Sequence, residues 1–265
     1  MKPNLPFWNF LILILFPALL LSNFPPSNNW IIEKHKGFTF IYTTRDKKAK
    51  KEYLQFIHRG LKSVNAFFNQ PMSRPFKIVI HPDRHSLDST WQKDWNMPDF
   101  KSECWMVASG VADKLDMISP QAWSAEACEH QYVDNLKTQR LITHELFHVY
   151  HGQLNVSPDF SEVDGIDWFV EGLATYASGQ CDSTRMNEIR KAILENKIPS
   201  SLDKFWTGKL KYGLSGSIVM FIDQKYGRAK LNDLLKFNKK SKVLSALNIT
   251  EIELIDEWKK YMKSI

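Results

Sequence analysis

Hydrophobic and polar positions along the chain change period from one end to the other. The residues from Phe7 to Leu21 form an almost unbroken apolar run, interrupted by Asn9, carrying Pro17 and preceded by Lys2. A polar, proline-bearing stretch follows it (Ser22-Asn-Phe-Pro25-Pro26-Ser27). Apolar and polar residues then roughly alternate from Gly37 to Thr43, as a half-buried strand requires. Between Ala49 and Asn69 the spacing becomes helical, with a stripe of Tyr53, Phe56, Ile57, Leu61, Val64 and Phe68. Phe76 to His81 reads as a second strand between Pro75 and Pro82, and Val107 to Ile118 as a hairpin or two short strands. The polar, tryptophan-bearing stretch from His85 to Phe100 reads as a loop or a short irregular helix.

Beyond about Asn135 helical spacing dominates. One helix is predicted from Leu136 to His151 with Gly152 as its terminator, and another from Asp167 to Ser178 ended by Gly179. Thr184 to Glu195 and Ser215 to Tyr226 follow, the last closed by Gly227. Thr250 and Glu253 have capping-box spacing ahead of Leu254, Ile255, Trp258 and Tyr261. Strands early and helices late predict an α+β fold: a mixed N-terminal sheet with helices, then a mainly helical C-terminal half. The predicted organisation is an N-terminal segment 1–24 and one domain over 25–265, its sheet-containing half about 30–134 and its helical half about 135–265.

The apolar run would span about 22 Å as a helix, short of the ~30 Å hydrocarbon core of a bilayer. A basic start, apolar centre and proline/serine exit match an export signal, with a retained membrane anchor through residues 7–21 as the alternative. Both place the rest of the chain outside the cytoplasm. An oxidising compartment then allows one disulfide among Cys104, Cys128 and Cys181, with Cys104–Cys128 the first choice, against three isolated thiols.

Apolar residues make up 43% of the chain and charged residues 24%, a globular composition. The net charge of +6 is partly local, in Lys47, Lys48, Lys50 and Lys51 and again in Lys239, Lys240 and Lys242, and such runs read as solvated faces. No phosphate loop, paired-cysteine finger or RNA-binding aromatic signature accompanies it, so no nucleic-acid partner is expected.

The candidate chemistry centres on His144-Glu145-Leu146-Phe147-His148. On a helix, histidines four apart share a face, so both imidazoles reach one ion. Glu145 lies about 100° round the axis from His144, beside the ion rather than on it, where a base can take a proton from water. A second helical stretch, Asp167-Trp-Phe-Val-Glu171-Gly-Leu-Ala, brings Glu171 twenty-three positions after His148. Gly172 beside it would let the two helices approach closely. A His144, His148, Glu171 set leaves a ligand position open for water, the arrangement of a catalytic rather than a structural zinc.

These two motifs together resemble the gluzincin superfamily: the small peptidase-MA-like proteins and, more distantly, the aminopeptidase-N-like enzymes. The resemblance covers roughly Val107 to the C-terminus. It implies a zincin-like fold with the metal site in a cleft between an edge-stranded sheet and a helical half, one Zn²⁺ per chain, and a metallopeptidase acting on a peptide or protein substrate. It also implies a downstream tyrosine that stabilises the oxyanion, for which Tyr212 in Lys211-Tyr-Gly-Leu-Ser is the candidate. The Gly-Ala-Met-Glu-Asn segment of aminopeptidase-N-like enzymes has no counterpart, since Ala108-Ser-Gly-Val-Ala112 lacks a Glu, which disfavours an aminopeptidase.

Several other residues compete for roles. A metzincin reading fails because position 151 is His and position 154 is Leu. His151 is read as a residue just behind the ligands or at the surface, and His81, His85 and His130 as solvated. Asp164 and Asp167 read as N-caps of the Glu171 helix, or as partners of a ligand imidazole. A di-iron site needs a second Glu-x-x-His pair, which is absent from the sequence. A zinc-binding but non-catalytic peptide-binding domain is the rival reading, and Glu145, which no ligand role requires, speaks against it.

Overall fold

A computed structural model describes residues 29–265; the apolar run 7–21 and the proline-bearing stretch behind it lie outside the described residues. The architecture is mixed α and β, with all strands before residue 119. Strands β1 (Trp30–His35), β2 (Phe38–Thr43), β3 (Phe76–His81), β4 (Ala108–Val111) and β5 (Lys114–Ile118) form one sheet in the order β1-β2-β3-β5-β4. The two hairpins pair antiparallel, while β2–β3 and β3–β5 are parallel, with Phe40 opposite Ile78 and Ile78 opposite Leu115. Those three residues are buried at the centre of the core. Parallel neighbours need a crossover. The first is α1 (Lys50–Phe68), whose buried Tyr53, Phe56, Ile57, Val64 and Phe68 recur at helical spacing.

The second crossover runs through α2 (Arg84–Asp94), an eleven-residue helix in the stretch read as a loop or a short irregular helix. Asp83 caps it by accepting from the Ser86 N–H at 2.8 Å, and only Leu87 and Trp91 are buried along it. Two apolar positions one turn apart anchor a helix without producing a legible stripe. A single turn, α3 (Trp123–Glu126), then leads into α4 (Asn135–Leu154), capped by Asp134. Gly152 lies inside α4 rather than ending it. A Cβ there would sit 2.5 Å from the Pro158 carbonyl oxygen and 2.7 Å from the Ala112 nitrogen, so this glycine admits a neighbouring loop, not a helix stop.

The helical half continues with α5 (Asp167–Ala177), α6 (Ser183–Leu194) and α7 (Lys211–Tyr226), the last beginning four residues earlier than its apolar pattern suggests. Two short helices that the sequence did not reveal, α8 (Arg228–Leu234) and α9 (Lys240–Leu247), each bury two aliphatic residues. The closing α10 (Glu251–Ser264) carries both halves of the Thr250/Glu253 capping box. Among the described residues no helix is long and apolar enough to cross a membrane.

Gly172 does allow a close helix approach, but to α7 rather than α4. A Cβ at Gly172 would lie 2.3 Å from the Ser215 carbonyl oxygen and 2.8 Å from Val219 Cγ2. Gly172→Ala should therefore force α5 and α7 apart and lower the unfolding free energy by about 1–3 kcal/mol. Urea unfolding checks this, and a loss under about 0.5 kcal/mol would show that α7 yields without cost.

Candidate metal centre

Helix α4 crosses beneath the edge strand β4, and the site forms where they touch. A Cβ on Gly110 would come within 2.3 Å of the Glu145 carbonyl oxygen and 3.0 Å of His148 Cβ. Only glycine permits strand and helix to approach this closely. His144, Glu145 and His148 are each 6% exposed, lining the floor of a cleft of about 580 Å³. Glu171 enters from α5, in the next helical layer.

The two imidazoles point at one place. His144 Nε2 lies 3.0 Å from His148 Nε2, and Glu171 Oε2 lies 3.4 Å and 3.6 Å from these two nitrogens. Taken one per residue, the potential ligand atoms of His144, His148 and Glu171 lie within 4.8 Å of one another. Three Lewis-basic atoms thus converge, an arrangement that favours a cation among them. Bonds of about 2.0–2.1 Å in a tetrahedron set ligand atoms roughly 3.3–3.4 Å apart, so the three could hold one small metal ion. His144 Nδ1 is buried without a hydrogen-bond partner. Among the described residues no outer carboxylate or carbonyl therefore orients the ring through Nδ1.

Electrostatics within the group are strongly coupled. Burial works to raise Glu171, but the facing imidazoles outweigh it and hold its carboxyl well below the usual carboxylate range. Burial opposes a charge on His148, yet the Glu171 carboxylate prevails and raises it above an ordinary histidine. Glu145 goes the other way. Burial lifts it above the usual carboxylate range, and the two histidines offset this only in part.

Tyr212, at the start of α7, lines the same cleft as the His144, Glu145, His148 and Glu171 set. Burial, and then the carboxylates of Glu171 and Glu145, push its hydroxyl well above the ordinary tyrosine value, so it is a proton-bearing donor at neutral pH. Trp206 meets its ring edge-on at 4.9 Å.

Other expectations need correction. His151 is not at the surface: it is fully buried against Phe160 and Phe169, and burial pushes it down to about 3. His81 is not solvated either. It is 2% exposed, with Nε2 2.9 Å from Asp116 Oδ1 and Nδ1 3.1 Å from Ser86 Oγ. His130 is half-buried on the cleft wall, 3.2 Å from the Trp105 carbonyl oxygen, whereas His85 is exposed as expected. Asp164 and Asp167 do not cap α5, whose N-cap is Ile166 without a side-chain bond. Asp164 instead joins the chain at Asn238 and Lys240 through its backbone, and Asp167 lines the cleft.

One cleft wall is a strap carrying Trp105, Met106, Glu129 and His130, and the Cys104–Cys128 disulfide closes it. Cys181 stays a thiol that burial pushes up to about 12. Arg84 gathers the strap from below, donating to the carbonyl oxygens of Glu103 at 2.9 Å, Met106 at 2.8 Å and Cys104 at 3.1 Å. The bridge spans 24 residues, a loop length for which chain-entropy arguments give about 3 kcal/mol. Replacing both cysteines by Ala should lower stability by about that amount in urea unfolding, and an unchanged midpoint would assign the whole tether to Arg84.

Trp105, Met106 and Glu129 of the strap, together with Trp206, Asp182 and Arg185, border the cleft and were not singled out in the sequence, whereas the Cys104–Cys128 pairing that closes the strap was its first choice. Only Asp182 carried a local signal, as an N-cap residue that accepts from the Arg185 N–H at 3.1 Å. No protein-family model matches this chain, and no curated protein matches it either.

Proposed function

We propose that the chain is a zinc-dependent metallopeptidase on a zincin-like fold, with His144, His148 and Glu171 holding the metal and Glu145 as general base. The observation that carries this reading is the convergence of His144 Nε2, His148 Nε2 and Glu171 Oε2, with an unused, buried carboxylate on the residue between the histidines. A zinc ion held there supplies a Lewis acid that polarises the scissile carbonyl and acidifies water.

The chain's own groups do the rest. Glu145, kept basic by burial and lying on the cleft floor, takes the proton of the attacking water and returns it to the departing amine nitrogen. Tyr212 keeps its proton and donates a hydrogen bond to the oxygen on which negative charge develops. Ala108, Ser109 and Gly110 of the edge strand border the cleft, and an exposed sheet edge suits an extended peptide. The absence of a Glu in that strand favours cleavage within a chain over removal of a free N-terminus. The Cys104–Cys128 bridge supports an oxidising, extracytoplasmic location.

The test is zinc content and hydrolysis of a broad peptide library by the full-length protein in mild detergent, before and after chelation. One zinc per chain with activity lost to chelator and restored by zinc is the expected result. Zinc without hydrolysis would favour a peptide-binding domain, and no zinc would refute the ligand assignment.

A further inference from the structure

Charge is unevenly spread around the cleft. Glu145, Asp167 and Glu171 occupy the metal side, while Lys137, Arg140 and Arg185, with the carboxylates of Glu129 and Asp182, line the remaining walls. Arg140 is matched by Asp182, with Nη1 3.3 Å from Oδ2. Arg185 is not: among the described residues it forms no ion pair, and its one side-chain hydrogen bond goes from Nη1 to the Gln180 carbonyl oxygen at 2.7 Å. Its Cζ stands 5.2 Å from the centroid of the Tyr212 ring. Lys211 Nζ lies 5.3 Å from the same centroid, and 4.0 Å and 4.8 Å from those of Trp105 and Trp206, again with no ion pair among the described residues.

Two cations thus lie near one ring, neither of them in an ion pair among the described residues. Aromatic faces hold such cations in place but do not neutralise them. A guanidinium held beside a ring with most of its donors unspent is a receptor for a planar anion. Resting on the peptidase reading above, we propose that Arg185, supported by Lys211, is a specificity-determining residue that receives a carboxylate of the peptide substrate. That carboxylate belongs either to an acidic side chain or to the peptide's C-terminus.

Binding distinguishes the two sources. The probes are neutral peptides in which one Glu is walked along the chain, each beside its Gln counterpart and each made as free acid and as amide. Tryptophan fluorescence reports their affinity for full-length, zinc-loaded Glu145→Gln protein, since Trp105 and Trp206 border the site. At one Glu position, or at the free C-terminus, the acidic member should bind about tenfold more tightly than its neutral partner. Arg185→Gln should erase that preference, Arg185→Lys retain part of it, and Arg140→Gln leave it intact. Equal affinities throughout, no binding of any member, or a preference that survives Arg185→Gln would overturn the proposal. Hydrolysis of the same peptides by wild type separates the two ideas. Cleavage without charge preference refutes the carboxylate site alone, and charge-selective binding without cleavage supports the site while removing the peptidase reading.

Discussion

Glu145→Gln is expected to lower peptide hydrolysis by roughly 10²–10⁴-fold while zinc content stays that of wild type. The side chain is not among the three that converge, so neutralising it removes no ligand atom. Gln has nearly the same shape, so the contact of Gly110 with the Glu145 carbonyl oxygen is kept. What it lacks is a site that accepts a proton, and the loss should fall on kcat rather than KM. A drop in zinc together with activity would show that Glu145 is a ligand or a structural acid. Full activity would refute its role as base.

His148→Ala should abolish both metal and hydrolysis. Two ligand atoms do not hold zinc as three do, and the affinity loss should exceed the roughly 10–100-fold that follows removal of an outer-shell partner. The thermal readout is independent of substrate. Zinc at about a thousand times its dissociation constant stabilises a folded protein by about 4 kcal/mol, and this zinc-dependent rise in Tm should vanish in the variant. His148 is 6% exposed, so truncation also leaves a small cavity and lowers the metal-free Tm somewhat. Retention of the zinc-dependent rise would refute the ligand set, whatever the activity.

The two expectations draw on the part of the chain most legible in sequence, for a physical reason. His144 and His148 share a helix face through backbone geometry alone, and the capping box at Thr250 and Glu253 is equally local. Strands β2 and β3 were visible because buried residues alternate along most of each, whereas β5 is buried on both faces and β4 buries only Gly110, so these two read as a hairpin or two short strands. Strand β1 was not, since Trp30, Ile32 and Lys34 are exposed and the intervening residues only half-buried. The partner of Gly172, the burial of His81 and His151, the approach of Arg185 to Tyr212 and that of Trp105 to Lys211 depend on contacts between separate segments. No local spacing encodes them. Gly152 shows the same limit from the other side, because a glycine after a helical stripe reads as a stop until the loop beside it is known.

The two rims of the sheet meet their surroundings differently. At one end the four-residue β4 packs on α4 and borders the cleft. At the other, β1 presents six residues with no strand on its outer side among the described residues, and Trp30 and Ile32 are 41% and 64% exposed. Such a rim is a template for strand-to-strand self-association between molecules. Lys34 and the Glu33–Lys50 ion pair are the charges that oppose it, so at high salt, where they are screened, self-association should begin at β1 rather than at the cleft.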